Sequence, residues 1–176
     1  MTSPSSTGRP KQAKPRRLHL VMRDAAMIEG HVQIGEDQSL ISYLNSRRGG
    51  WINMTRARRP KLGEPPGHMI IQTDHIVLAM APDLNVQMNV TASGMEERAV
   101  EVVLVGGKTL TGFVSAASQQ RLSDYISASG RFIAVLRATL MPESRELGDM
   151  ALHSGAIAII RDVRASAPLD EGTSAF

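Results

Sequence analysis

The chain is written twice. Ile28-Glu29-Gly30-His31-Val32 returns as Leu110-Thr111-Gly112-Phe113-Val114, and Gln38-Ser39-Leu40-Ile41-Ser42-Tyr43-Leu44 returns as Gln120-Arg121-Leu122-Ser123-Asp124-Tyr125-Ile126, both 82 positions on. Past Gly49-Gly50 the offset becomes 81, where Arg56-Ala57 matches Arg137-Ala138, Met69 matches Met150 and Ile76-Val77-Leu78 matches Ile157-Ala158-Ile159. A residue kept in both copies belongs to the shared fold. A residue private to one copy is where function can diverge.

Two units of roughly 65–70 residues are each marginal alone, so side-by-side packing is expected. Aromatics make up only 3% of the sequence, so the cores must be aliphatic. The chain has no cysteine, which excludes disulfides and thiolate metal sites. No apolar run reaches the ~18 residues of a membrane-spanning helix. Met1 to Arg17 lacks the apolar segment of a secretory signal. The expectation is a soluble, cytoplasmic protein, peripheral to the inner face of a membrane.

Charge is uneven. Residues 1–67 carry 12 Lys/Arg against 5 Asp/Glu, a net of +7, whereas residues 68–176 carry 8 against 12, a net of −4. A basic first half and an acidic second half suit a charged partner on the first side, or head-to-tail docking of copies.

The organisation expected is a disordered basic arm over 1–16, a β-rich repeat over 17–82, a linker or edge strand over 83–97, a second β-rich repeat over 98–163 and a flexible tail over 164–176. Within each repeat the pattern predicts strand, strand, helix, strand, strand, strand. Leu18 to Arg23 with Met27 to Ile34, and Val100 to Val105 with Thr109 to Ala116, alternate as hairpins. Asp37 and Ser118 are candidate helix N-caps, and Leu40/Tyr43/Leu44 and Leu122/Tyr125/Ile126 form core stripes at helical spacing. Trp51 to Arg58 and Arg131 to Thr139 follow. Loops at Pro60 to Gly67 and Pro142 to Gly148 precede a last hairpin in each copy, His68–Gln72 with Ile76–Met80 and Met150–His153 with Ala156–Ile160. The fold class expected is mainly β, bordering on α+β: two tandem five-stranded, barrel-like or bent-sheet domains, each with one short helix after the second strand.

Gly30 and Gly112 sit inside strands, where glycine marks a bend or a close backbone approach. Tyr43 and Tyr125 should bury their rings on the core face of the helix and hydrogen-bond their hydroxyls. Trp51 and Phe132 are equivalent and read as anchors of the third strand. Trp51, if exposed, would be an interface anchor. The private basic residues are the candidate partner-binding patch: Arg9, Lys11, Lys14, Arg16 and Arg17 in and beside the arm, then Arg47, Arg48, Arg56, Arg58, Arg59 and Lys61. Arg56 alone among this second group is matched, by Arg137. On a regular strand, Arg56 and Arg58 would share one face.

No catalytic constellation is visible. His19 and His31 fall on neighbouring strands without carboxylates at a metal-site spacing, and no Gly-x-Ser-x-Gly, Walker-type loop or His-Glu-x-x-His occurs. No metal, cofactor or small-molecule substrate is expected.

Leu110-Thr111-Gly112-Phe113-Val114, Arg121-Leu122-Ser123-Asp124-Tyr125 and Arg131-Phe132-Ile133 resemble an uncharacterised family of small bacterial β-rich domains. Ser39-Leu40-Ile41-Ser42-Tyr43-Leu44-Asn45 and Gly50-Trp51-Ile52 are the degenerate first version. The resemblance covers about 60 residues of each copy and implies a fold, with no chemistry attached. The duplicated arrangement also resembles soluble accessory subunits of bacterial photosynthetic reaction-centre–light-harvesting complexes. The function expected is a non-catalytic accessory or scaffold subunit docking on other protein subunits, with an anionic membrane surface as a further partner. The alternative is a small-barrel nucleic-acid-binding module, for which the basic patch argues and the scarcity of stacking aromatics argues against.

Overall fold

A computed structural model describes residues 13–47, 49–87 and 94–163. The first repeat contains strands β1 (Ala13–Met22) and β2 (Met27–Gly35), helix α1 (Leu40–Asn45), and strands β3 (Trp51–Arg58), β4 (Gly67–Gln72) and β5 (Ile76–Met80). The second contains β6 (Met95–Leu104), β7 (Thr109–Ala117), α2 (Leu122–Ala128), β8 (Phe132–Met141), β9 (Arg145–His153) and β10 (Ile157–Asp162). The protein is mainly β, and each repeat has its short helix after the second strand, as the duplicated pattern predicts.

The strands form one continuous antiparallel sheet, ordered β10-β6-β7-β8-β9-β5-β1-β2-β3-β4. Each repeat therefore runs 5-1-2-3-4 in its own numbering and stays open. The final hairpin expected in each repeat does not form. β4 pairs with β3, while β5 pairs with β1 and with β9 of the other repeat. The cause is the connection: Thr73–His75 and Ser154–Ala156 are single 3-10 turns, which redirect the chain instead of folding it back as a two-residue hairpin turn does.

Five further boundaries differ from expectation. β1 begins at Ala13, so residues 13–16 of the anticipated arm are strand, paired with β2 through Ala13↔Gly35 to Arg16↔Val32. Pro15 is tolerated because β5 reaches only His19 to Met22, leaving one side of β1 without a strand partner there. Asn85 and Val86 are not strand; their carbonyls accept from the N–H groups of Leu40 and Ile41, satisfying donors that every helix start leaves unpaired. Ser39, not Asp37, caps α1, its Oγ accepting from the Ser42 N–H at 3.2 Å. α2 starts after Arg121 with no side-chain cap, so Ser118 does not serve there. The loop expected over 142–148 shrinks to residues 142–144, because β8 and β9 extend to Met141 and from Arg145. Residues 1–12, 88–93 and 164–176 lie outside the described residues, and with them most of the expected arm, part of the linker and the tail.

The paired glycines have a common role. A Cβ on Gly30 would stand 2.9 Å from the Cα of Ala57, and one on Gly112 would stand 2.8 Å from Cγ1 of Val135 and 2.9 Å from the Leu136 carbonyl. Opposite them the third strand of each repeat bulges: the ladder shifts between Met54 and Ala57 and between Val135 and Ala138. Arg56 and Arg137 carry the bulges in the left-handed region, at φ 49° and 48°. The bulge bends the sheet and pushes its backbone onto the glycine. Arg56 is thus a bulge residue, and β3 is not the regular strand that would align Arg56 with Arg58.

The repeats meet where β5 pairs with β9 through Leu78↔Leu152 and Ala79↔Ala151. Each pair feeds a different core. Ala79 and Ala151 join the first-repeat cluster of Leu40, Tyr43 and Leu44, and Leu78 and Leu152 join the second-repeat cluster of Val102, Leu110 and Val135. Phe132 and Ala134, on the face of β8 that meets α1, are also buried in the first-repeat core. Asn45, the last residue of α1, donates to the carbonyls of Ser129 and Phe132 at 3.1 and 3.0 Å and accepts from the Phe132 N–H at 2.9 Å. Beside it, Arg131 donates to Thr73 Oγ1 at 3.2 Å and lies 3.5 Å from the Asp74 carboxylate. Arg23 donates to the Asp74 carbonyl at 2.7 Å.

Candidate functional site

Most of the basic residues singled out by sequence are already partnered. Lys14 pairs with Glu36 at 2.5 Å and Arg16 with Asp83 at 3.7 Å. Arg17 and Arg58 converge on Glu29, at 3.1 Å for Arg17 and 2.6 Å from Arg58 Nε. These two guanidinium groups hold the Glu29 carboxyl below its ordinary range, with Arg58 the larger cause. Arg59 pairs with Glu64, which depresses that carboxyl in turn. Arg47 lays its guanidinium over the Tyr43 ring, 4.0 Å from the centroid. Burial raises the Tyr43 phenol, partly opposed by Arg47. Arg56 on its bulge and Lys61 on the 3-10 turn Pro60–Leu62 have no carboxylate partner among the described residues. Arg9, Lys11 and Arg48 lie outside the described residues. The patch is therefore divided among different partners: Lys14 on Glu36, Arg16 on Asp83, Arg17 and Arg58 on Glu29, Arg59 on Glu64 and Arg47 on the Tyr43 ring, while Arg47, Arg56, Arg59 and Lys61 lie in or beside β3, which with β4 ends the sheet.

That end carries the apolar feature. Trp51 is 53% exposed and Ile70 is 62% exposed. The register places Trp51 opposite Gln72 and Asn53 opposite Ile70. Alternation puts Trp51, Asn53, Ile70 and Gln72 on one face of the β3–β4 pair, with Trp51 and Ile70 as diagonal neighbours. The opposite face, with Ile52, Met54 and Ile71, is buried in the first core. Trp51 is therefore not the buried strand anchor that Phe132 is. Among the described residues β4 is also a sheet edge with an unpaired row of backbone groups, which is a template for another strand.

At the other end of the sheet β10 is the second open edge. Ile159 on it is 56% exposed, and Val105, whose N–H bonds to the Ala156 carbonyl just before it, is 67% exposed. Leu122, Tyr125 and Ile126 of α2 are only half-buried, whereas Leu40, Tyr43 and Leu44 of α1 are fully buried. Sequence comparison found Trp51 but missed Ile70, Val105 and Ile159, because isolated isoleucines and valines in strands look like core until the strand order shows which edges stay open.

His19 lies opposite Glu29 and His31 opposite Arg17 across the β1–β2 ladder, which makes His19 and His31 diagonal neighbours on one face of the sheet. His19, with Arg16, Glu36 and Asp149, lines a polar cleft of about 630 Å³. His153 sits at the repeat junction, its Nδ1 accepting from the Gly155 N–H at 3.0 Å and its ring edge-on to Phe132 at 4.9 Å. Burial, then the nearby Arg23 charge, holds His153 below its ordinary value, with Asp74 opposing. Among the described residues no group of three His, Asp or Glu side chains could hold a metal ion, and no helix is long and apolar enough to cross a membrane.

Comparison with protein-family models, with curated proteins and with solved structures finds no match to this chain. The geometry itself must carry the functional reading.

Proposed function

We propose that the chain is a non-catalytic accessory or scaffold subunit that docks through protein–protein contacts on a larger bacterial assembly, and that the β3–β4 end of its sheet is the docking surface. The observation that carries this is the pair Trp51 and Ile70, exposed side by side on an open strand edge. A tryptophan on an exposed apolar face flanked by arginine is the composition of an interface anchor. Arg47, Arg56 and Lys61 toward the same end supply the polar rim. A membrane complex, approached from its cytoplasmic face, is the setting that the sequence resemblance offers, with photosynthetic reaction-centre–light-harvesting complexes as its named instance.

Nucleic acid fits less well. Lys14, Arg16, Arg17, Arg58 and Arg59 already face carboxylates, so phosphate contacts would first have to displace those partners.

The test is affinity capture from native membranes with the full chain, at low and high salt, beside a Trp51→Ser/Ile70→Ser variant. Defined partner subunits should be held by the first and lost by the second. Equal recovery with both would place the docking surface elsewhere, and recovery of the free chain alone would sink the reading.

A further inference from the structure

The two open ends of the sheet are the two halves of the junction already present inside the molecule. Inside, β9 of the second repeat lies against β5 of the first, and Phe132, Ala134 and Ala151 bury one face of β8–β9 beside α1. The duplication maps each part onto an open end. Phe132, Ala134 and Ala151 correspond to Trp51, Asn53 and Ile70 on β3–β4. Leu78 and Ala79 of β5 correspond to Ile159 and Ile160 of β10, and the α1 stripe Leu40, Tyr43, Leu44 corresponds to Leu122, Tyr125, Ile126 of α2. The residues buried inside are those exposed or half-exposed outside.

We infer that the partner of the β3–β4 end is the β10–α2 end of a second copy of this chain, joined head to tail. This rests on reading the β3–β4 end as a docking surface and names what docks there. The register follows from the internal one: Ile160 of one copy opposite Ile70 of the next, and Ile159 opposite Ile71. Trp51 then lies against α2 of the neighbouring copy as Phe132 lies against α1. Ile159 enters the neighbour's first core, as Leu78 and Leu152 meet in the second core inside the molecule.

Two observations favour a second copy over an unrelated protein. The geometry is continuous with an interface the chain already makes. Arg23, which donates to Gly155, and Asp74, which pairs with Arg131, are replaced at the β10 end by Val105 and Gly155, so that end is the more hydrophobic of the two. Because the two ends differ, the contact is heterologous and builds a closed ring or an open filament.

The test uses the full chain and its single tryptophan. Sedimentation velocity over a concentration series should show oligomers, with Trp51 emission shifting to the blue in step as the ring leaves water. Ile70→Lys and Ile159→Lys, both at exposed positions, should each be monomeric. Mixed together they should form a capped heterodimer through the one intact end of each. An Ile70→Cys/Ile160→Cys chain, otherwise free of cysteine, should crosslink into a ladder on oxidation. A chain that stays monomeric at all concentrations with unmoved emission overturns the inference, as do oligomers that survive both lysine variants or variants that fail to complement. If the chain is monomeric yet its Trp51-dependent capture of membrane subunits persists, the self-association fails while the docking surface stands.

Discussion

Trp51 and Phe132 hold the same place in the two repeats, yet Trp51 is 53% exposed and Phe132 is fully buried. The difference comes from their neighbours: Phe132 is covered by the first repeat, and Trp51 by nothing comparable among the described residues. Truncation should separate them. Phe132→Ala should cost about 3–5 kcal/mol of folding stability, while Trp51→Ala in the dilute monomer should stay within about 0.5 kcal/mol of wild type. Denaturant titrations of the two variants check this, and comparable losses would mean that Trp51 is part of the core.

The repeated bulges give an opposite-signed pair. Gly30→Ala or Gly112→Ala drives a methyl into the facing backbone and should destabilise by about 1–3 kcal/mol. Arg56→Gly relieves a left-handed conformation that costs a non-glycine residue roughly 1–2 kcal/mol, offset in part by the entropy of the freer unfolded chain. Its expected outcome is an unchanged or raised Tm. Arg137→Gly should gain less, because Arg137 also pairs with Glu97 and stacks 4.2 Å from the Phe113 ring centroid. Thermal melts of the four variants rank them.

How much of this was legible in sequence depends on what each residue reports. Gly30 and Gly112, matched across 82 positions, mark a close approach in the sequence itself. The helical stripes of Leu40, Tyr43 and Leu44 and of Leu122, Tyr125 and Ile126 were equally plain, because periodicity is a local property. Strand order is not local. Nothing within His68–Met80 says that β5 leaves β4 for β1, since the decision lies in a 3-10 turn whose residues, Thr73-Asp74-His75, also suit a hairpin. The carboxylate partners of the basic residues are hidden in sequence for a related reason: Glu29 lies far along the chain from Arg58, and only the β2–β3 register brings them together.

Asn45 is the polar bridge between the repeats. Asn45→Ala leaves the N–H and carbonyl of Phe132 without their partner and should cost about 1–3 kcal/mol. Its counterpart, Ser127, bonds only within its own helix, to the Ser123 carbonyl at 2.8 Å, so Ser127→Ala should be nearly silent. Amide hydrogen exchange at Phe132 should quicken in the first variant alone.

Acid should act at the junction before it acts elsewhere. The folded protein holds His153 below its ordinary value of 6.5. Between that depressed value and 6.5 the unfolded chain binds a proton that the folded chain refuses, so stability falls as pH drops below 6.5. Glu29, Glu64 and Glu97 are held below 4.5 by their arginines, so their contribution is present above 4.5 and is lost as pH falls further. A titration of stability against pH should therefore show two descending stages. His153→Gln, which installs the residue found at the equivalent Gln72, should flatten the upper one.

The contact between the repeats is built from β5, β9, α1 and Phe132, and the start of the peptide running from β5 to β6 supports it: Ala81 and Val86 are buried in the first core, and the Asn85 and Val86 carbonyls hold the start of α1. Beyond Val86 that connection serves to keep the halves at high local concentration. A protease cut there, or synthesis of the halves as separate chains, should leave a nicked pair that remains associated, so the molecule is a ready split-protein reporter whose two fragments find each other by completing one sheet.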